Sequence, residues 1–188
     1  MNSQKIRAFI ALEIPPGVKR EMGEGREPLR GELPKARWVR PEGQHLTLKF
    51  LGETSREELD DLVTDLGPRL AGCGPVTVTL GGAGFFPNPR RPRVAWIGGT
   101  ADGVEPVVAA VERACTNRGF PADRRRWSLH LTQARIDRPW PEEAVQRFLE
   151  WGRGIRPGPF RCDEVVLFES RLQPGGAVYT PLERMPLE

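Results

Sequence analysis

Apolar and polar positions follow one another along this chain in an order that occurs twice. The first copy opens on IRAFIALEI (residues 6 to 14), a near-continuous apolar run bounded by charges, which predicts a buried strand. A helical stretch follows within residues 17 to 30. HLTLKF (45 to 50) then alternates, with Leu46, Leu48 and Phe50 on one side and His45, Thr47 and Lys49 on the other. EELDDLVTDLGPRL (57 to 70) has helical spacing and a start signal in Ser55, and VTVTLGGAGFF (76 to 86) reads as a strand. The second copy runs RVAWIGG (93 to 99), helical VEPVVAAVERACTNRG (104 to 119) and HLTQAR (130 to 135). It closes with helical EEAVQRFLEW (142 to 151) behind Pro141, then FRCDEVVLFES (160 to 170) as its last strand.

Each copy therefore reads strand, helix, histidine-bearing strand, helix, strand. Glu-Glu opens the second helix twelve residues after each histidine, at Glu57-Glu58 and Glu142-Glu143. The repeat covers roughly residues 6 to 86 and 93 to 170, and two units are too few for a solenoid. The expected architecture is a single α+β domain over residues 1 to 188. It is bilobal, with two pseudo-symmetric lobes around a central cleft, each a mostly antiparallel sheet with flanking helices. GFFPNPRRPRV (84 to 94) is expected to loop between the lobes, and AVYT (177 to 180) to add a last short strand to one sheet.

Composition narrows the class without naming a function. Of 188 residues 38% are hydrophobic, enough for a sizeable core, and no apolar run approaches a membrane span. MNSQKIRAF lacks the features of a secretory signal. Cys73, Cys115 and Cys162 are odd in number and show no CxxC spacing, which argues against a disulfide framework or a zinc knuckle. A cytoplasmic monomer is expected. The net charge of +3 is mild, but Arg90, Arg91 and Arg93, then Arg124, Arg125 and Arg126, are clustered. Such clusters occur on any solvated surface, and they also suit an anionic partner such as phosphate.

The histidines change the picture. The chain has only two, and both open the same tripeptide, His-Leu-Thr, 85 residues apart. Strand alternation puts His45 with Thr47 and His130 with Thr132, and a two-fold arrangement of lobes would bring both pairs into the cleft. One imidazole can then accept a proton while the other donates one, and threonine hydroxyls can stabilise charge on phosphate oxygens. These are the groups needed to cleave a phosphodiester without a metal. A metal site would need further carboxylate ligands, and neither motif holds one, so no metal or other cofactor is expected.

On these residues the chain resembles the two-histidine (2H) phosphoesterase superfamily, and within it the bacterial and archaeal RNA 2′,3′-cyclic phosphodiesterases, also called 2′-5′ RNA ligases. The resemblance runs through FIALEIPPGV (9 to 18), LPKARWVRPEGQHLTLKFLGE (33 to 53), GGAGFFPNPRRPRVAWIG (81 to 98), HLTQAR (130 to 135) and DEVVLFESRLQPGGAVYTPL (163 to 182). It implies metal-independent hydrolysis of a terminal RNA 2′,3′-cyclic phosphate to a 2′-phosphate. By the same resemblance His45 is the proton donor to the departing 3′ oxygen and His130 the acceptor from water. Thr47, Thr132 and Arg135 would hold the phosphate. The near-symmetric sequence does not itself say which histidine is the acid.

Three residues test that pattern. Simple alternation puts Arg135 on the face opposite His130, so a twist or strand end is required to bring it round. Gln133 stands where the family commonly has an apolar residue, on the core side, where a buried amide needs partners. Leu129 replaces a common proline. Lys49 shares the His45 face and is expected either at the phosphate or on a solvated rim. Trp38, Phe85, Phe86, Trp127 and Tyr179 are candidates to stack a base, with core packing the more frequent fate of such rings. The partners implied are RNA ends or small cyclic nucleotides. Ligation of 2′-phosphate and 5′-hydroxyl ends at the same site, and a non-catalytic RNA- or nucleotide-binding role, stay open as alternatives.

Overall fold

The computed structural model describes residues 5 to 174 and 176 to 188. Its elements are β1 (Lys5–Glu13), α1 (Pro16–Glu32), β2 (Arg37–Trp38), a 3-10 turn (Pro41–Gly43), β3 (His45–Ser55), α2 (Arg56–Leu70) and β4 (Val76–Phe86). Then come β5 (Val94–Asp102), α3 (Val104–Asn117), β6 (Leu131–Arg135), α4 (Glu142–Gly154), β7 (Phe160–Cys162), β8 (Glu164–Gln173) and β9 (Gly176–Pro186). Ser55 caps α2 as its sequence predicts. Its hydroxyl accepts from the Glu58 amide while the Glu58 carboxylate takes the Ser55 amide, a complete capping box.

All strand pairs are antiparallel, in two sheets ordered β3-β1-β8-β9 and β2-β6-β5-β4-β7. The orders β3-β1-β8 and β6-β5-β4 match strand for strand, but each sheet borrows from the other half of the chain. β4 leaves the first half to join β5, and β8 leaves the second half to join β1. The helices exchange as well. α2 and α3 pack together, and both reach β3. α4 lies on β4, with α1 tied to it by the Trp151 Nε1 bond to the Gly25 carbonyl. That close seat of α4 needs Gly152, because a Cβ there would fall 2.2 Å from the Ala83 methyl.

Two sequence expectations are corrected by this topology. FRCDEVVLFES is two strands rather than one: β7 pairs with β4 in the second sheet and β8 with β1 in the first, the chain crossing over at Asp163. The segment from Pro87 to Arg93 does not join lobes; it closes the hairpin between β4 and β5 within one sheet. The last strand is longer than AVYT, and Pro181 is tolerated there because β9 is an edge. The central strand β1 is buried on both faces from Ala8 to Leu12. Ala8, Ile10 and Leu12 face the main core, while Phe9 and Ala11 join Val166 and Phe168 in a smaller cluster beneath Tyr179.

Candidate active site

His45 begins β3, and His130 directly precedes β6, so β3 and β6 carry the two His-Leu-Thr tripeptides. Cα atoms of these strands come within 8 Å of each other. Each motif contains a register shift at its fourth residue. In the first, Thr47 pairs with Ala11 and Lys49 with Ile10, leaving Leu48 as the extra residue of a β-bulge. In the second, Thr132 pairs with Trp96 and Ala134 with Ala95, leaving Gln133 extra. A one-residue slip exchanges the faces of everything beyond it.

The bulges decide two predicted positions. Arg135, opposite Val94, returns to the face of Thr132, so the bulge supplies the turn that simple alternation lacked. Lys49 moves the other way and leaves the His45 face. It is 2% exposed, bonded to Glu112 Oε1 at 2.7 Å, the Pro121 carbonyl at 2.8 Å and Asp123 Oδ2 at 3.2 Å. Burial alone would lower its pKa, but the Glu112 and Asp123 carboxylates outweigh this and hold it above the usual lysine value. Lys49 is therefore neither a phosphate contact nor a rim residue. Phe50 takes its place on the cleft side, packed at 6.0 Å from Phe9 yet 64% exposed, although alternation assigned it to the core.

Both imidazoles are held in the same way. His45 Nδ1 lies 2.8 Å from the Gly43 carbonyl and His130 Nδ1 lies 2.9 Å from the Ser128 carbonyl, in each case two residues upstream. A carbonyl only accepts, so Nδ1 carries the proton, and Nε2 is left to exchange one with a ligand. These two carbonyls, set by the chain entering each strand, carry no side-chain signal in the sequence. The rings differ in their surroundings. His45 packs on Phe9 at 4.6 Å and edge-on to Tyr179 at 4.9 Å, with Phe168 at 6.0 Å. This burial pushes its pKa down to about 4, against the raising effect of the Gly43 bond, with Lys19 lowering it, Glu13 raising it and the charge on His130 lowering it further. His130 meets the edge of Phe86 at 5.2 Å. Thr47 and Thr132 are both half-buried.

A polar network joins the two motifs. The Gln133 carbonyl oxygen accepts from Gln44 Nε2 at 3.3 Å and from Arg26 at 3.1 Å, and its amide donates to the Leu131 carbonyl at 3.2 Å. Gln44 precedes His45, so the bulge residue of one motif is bonded to the residue that leads into the other. Arg26, 2% exposed on α1, also donates to the Val39 carbonyl and lies 5.8 Å over Trp38. Trp127 adds a link, donating to the Thr47 carbonyl at 2.8 Å. Gln133→Leu leaves the Arg26 and Gln44 donors unpaired in the interior, so it should cost about 2–3 kcal/mol. Urea unfolding measures this, and a loss below about 0.5 kcal/mol would show the network is not a structural tie.

Of the other aromatic candidates, Phe85 is core, against Trp140 and Phe148, and Trp38 packs beside Trp140. Phe86, Trp127 and Tyr179 stay near the motifs. The three cysteines are buried and free. Among the described residues no helix is long and apolar enough to cross a membrane, and no cluster of three His, Cys, Asp or Glu side chains is placed to hold a metal.

This geometry has relatives. The sequence model of the LigT-like phosphoesterase family matches residues 12–96 and again 98–179, one match for each half of the repeat. An RNA 2′,3′-cyclic phosphodiesterase of Thermus thermophilus is 35% identical, the alignment covering 97% of this chain and 90% of that protein. One of Methanothermobacter thermautotrophicus is 29% identical over 95% of this chain and 97% of its own. Among solved structures, the crystal structure of a Thermus thermophilus protein superposes with a TM-score of 0.75 at 29% identity, covering 97% of this chain and 98% of the other. E. coli LigT complexed with 3′-AMP superposes with a TM-score of 0.72 at 25% identity, again covering 97% and 98%. With its two-sheet fold and both halves matched, the chain belongs to the LigT-like phosphoesterase family.

Proposed function

We propose that the protein hydrolyses the 2′,3′-cyclic phosphate at RNA ends, leaving a 2′-phosphate, with no metal taking part. The observation that carries this reading is the matched pair of imidazoles, each fixed through Nδ1 to a backbone carbonyl with Nε2 left for proton transfer. The names of the relatives support a phosphodiesterase acting on RNA 2′,3′-cyclic phosphate, and the complex of E. coli LigT with 3′-AMP supports a nucleotide ligand. In the proposed step a water oxygen attacks phosphorus and gives its proton to His130 Nε2. The bond from phosphorus to the 3′ oxygen breaks, and that oxygen takes the proton from His45 Nε2. Thr47, Thr132 and Arg135 receive the charge that builds on the non-bridging oxygens. One chain carries both motifs, so a monomer suffices.

The His45 pKa of about 4 adds a condition. At neutral pH the free protein holds this ring uncharged, and an acid must be charged. A cyclic phosphate supplies a negative charge beside it, which favours the imidazolium. The limb of kcat/KM that reports His45, a property of the free protein, should therefore lie near pH 4. That of kcat, a property of the complex, should lie higher. Tyr179→Ala opens the ring to water and should move the kcat/KM limb up toward the ordinary histidine value. A kcat/KM profile of the unmodified protein with no limb below about pH 6.5 would contradict the shielding.

Incubation of the purified protein with an oligoribonucleotide ending in 2′,3′-cyclic phosphate, EDTA present, tests the reading. Hydrolysis is expected to dominate even when a second RNA with a 5′-hydroxyl is added. Joining of the two strands as the main outcome would favour ligation, since a ribose hydroxyl can replace water at the same site. Binding without turnover would favour the non-catalytic role.

A further inference from the structure

Beside the second motif lies a groove of about 600 Å³ that the reaction above leaves unused. Its floor is made of backbone, at Gly81, Gly82, Gly98 and Gly99, and one wall is the ring of Trp96. That ring lies along the strands because glycines make room for it: a Cβ at Gly84 would come within 2.3 Å of it, and one at Gly98 within 3.1 Å. Its inner side is thus against backbone, while the residue as a whole stays partly open. Trp96 pairs with Thr132 in register, and Ser128 and Leu129, which directly precede His130, also line the groove. Arg126 stands at the rim, exposed. Arg156 is near the floor, with Nη1 3.7 Å from a Cβ built at Gly81. Glu105 is the one acidic side chain in the lining.

We infer that this groove holds the nucleotide on the 5′ side of the cyclic end. The inference rests on the phosphodiesterase reading. The 2′ and 3′ oxygens of the terminal ribose are both taken by the cyclic phosphate, so the chain can leave the catalytic pairs only through the 5′ oxygen. A partly exposed indole beside a floor without side chains suits a base of any identity, since every base has a π-face. A guanidinium at the rim suits the bridging phosphate, which carries the one negative charge that a mononucleotide lacks. This also gives Arg126 of the Arg124 to Arg126 cluster a task that composition alone left open.

The test compares kcat/KM for a trinucleotide ending in 2′,3′-cyclic phosphate with that for a 2′,3′-cyclic mononucleotide. The unmodified protein should prefer the trinucleotide by at least about tenfold, the scale of one stacked base and one charged contact. Arg126→Glu, at an exposed position, should lower the trinucleotide value about tenfold and leave the mononucleotide value within about twofold. Gly81→Leu, which raises the floor where a Cβ meets only Arg156, should do the same by obstruction. Equal losses on both substrates would put the terminal nucleoside in the groove and overturn the inference, as would no loss on either. Absence of turnover on both substrates in the unmodified protein would instead overturn the phosphodiesterase reading.

Discussion

His45→Ala and His130→Ala should each lower hydrolysis of a cyclic phosphate end by about 10³-fold, the range expected for losing one positioned acid or base. The double variant should be little worse than either single one, because a proton donor without its acceptor, or the reverse, completes no turnover. Histidine→Asn is the sharper control at each position. An asparagine amide reaches the same upstream carbonyl, Gly43 or Ser128, so the local hydrogen bond is kept while the Nε2 function is lost. Asn variants as inactive as Ala, with unfolding midpoints near that of the unmodified protein, would assign the loss to proton transfer. Retention of activity in either Asn variant would show that the ring served only to hold the strand entrance. The depressed His45 pKa has a consequence for stability as well. Between pH 6.5 and about 4 the unfolded chain takes up a proton that the folded ring refuses, so stability should fall as pH falls through that window. His45→Asn removes that dependence.

Lys49→Met should be the most damaging single change away from the histidines, costing about 3 kcal/mol. Met keeps the packed stem but leaves the Pro121 carbonyl without its donor, and the partly exposed Glu112 and exposed Asp123 carboxylates without their counter-charge. For a chain of this size that corresponds to a melting temperature lower by about 6–12 °C. The mechanism is specific. Lys49 ties β3 to Glu112 of α3 and to Pro121 and Asp123, at the head of the segment that runs through Arg124–Arg126 into His130. Its loss should loosen that approach, so activity should fall along with stability. Were activity lost with the melting temperature unchanged, Lys49 would instead be the phosphate contact that simple strand alternation suggests.

That contrast shows where the sequence is legible and where it is not. Helices could be read because their signals are local: Ser55 with Glu58 fixes the start of α2, and Pro141 with the Glu142-Glu143 pair marks α4. The paired tripeptides are local as well. The faces beyond them are not, because a bulge belongs to two strands at once. Leu48 is extra only when measured against Ile10 and Ala11, and Gln133 only against Ala95 and Trp96. Alternation was therefore right for His45 with Thr47 and failed two residues later, sending Lys49 inward and Phe50 outward. The split of Phe160–Ser170 between two sheets has the same origin, since nothing within the run specifies its partners. Gln133 marks the middle ground. Its need for partners is plain from its position, but their identity, Arg26 on α1 and Gln44 at the entrance to β3, comes only from the tertiary fold.

The central claim is that water, activated by one imidazole, opens the ring while the other imidazole protonates the 3′ oxygen. Hydrolysis in ¹⁸O-labelled water with EDTA present, followed by mass and position analysis of the product, tests this directly. The predicted result is one ¹⁸O in a phosphate that remains on the 2′ oxygen, formed at an undiminished rate with the chelator. A 3′-phosphate product would mean that the 2′ oxygen leaves, and turnover abolished by EDTA and restored by a divalent cation would mean that the two histidines do not act alone.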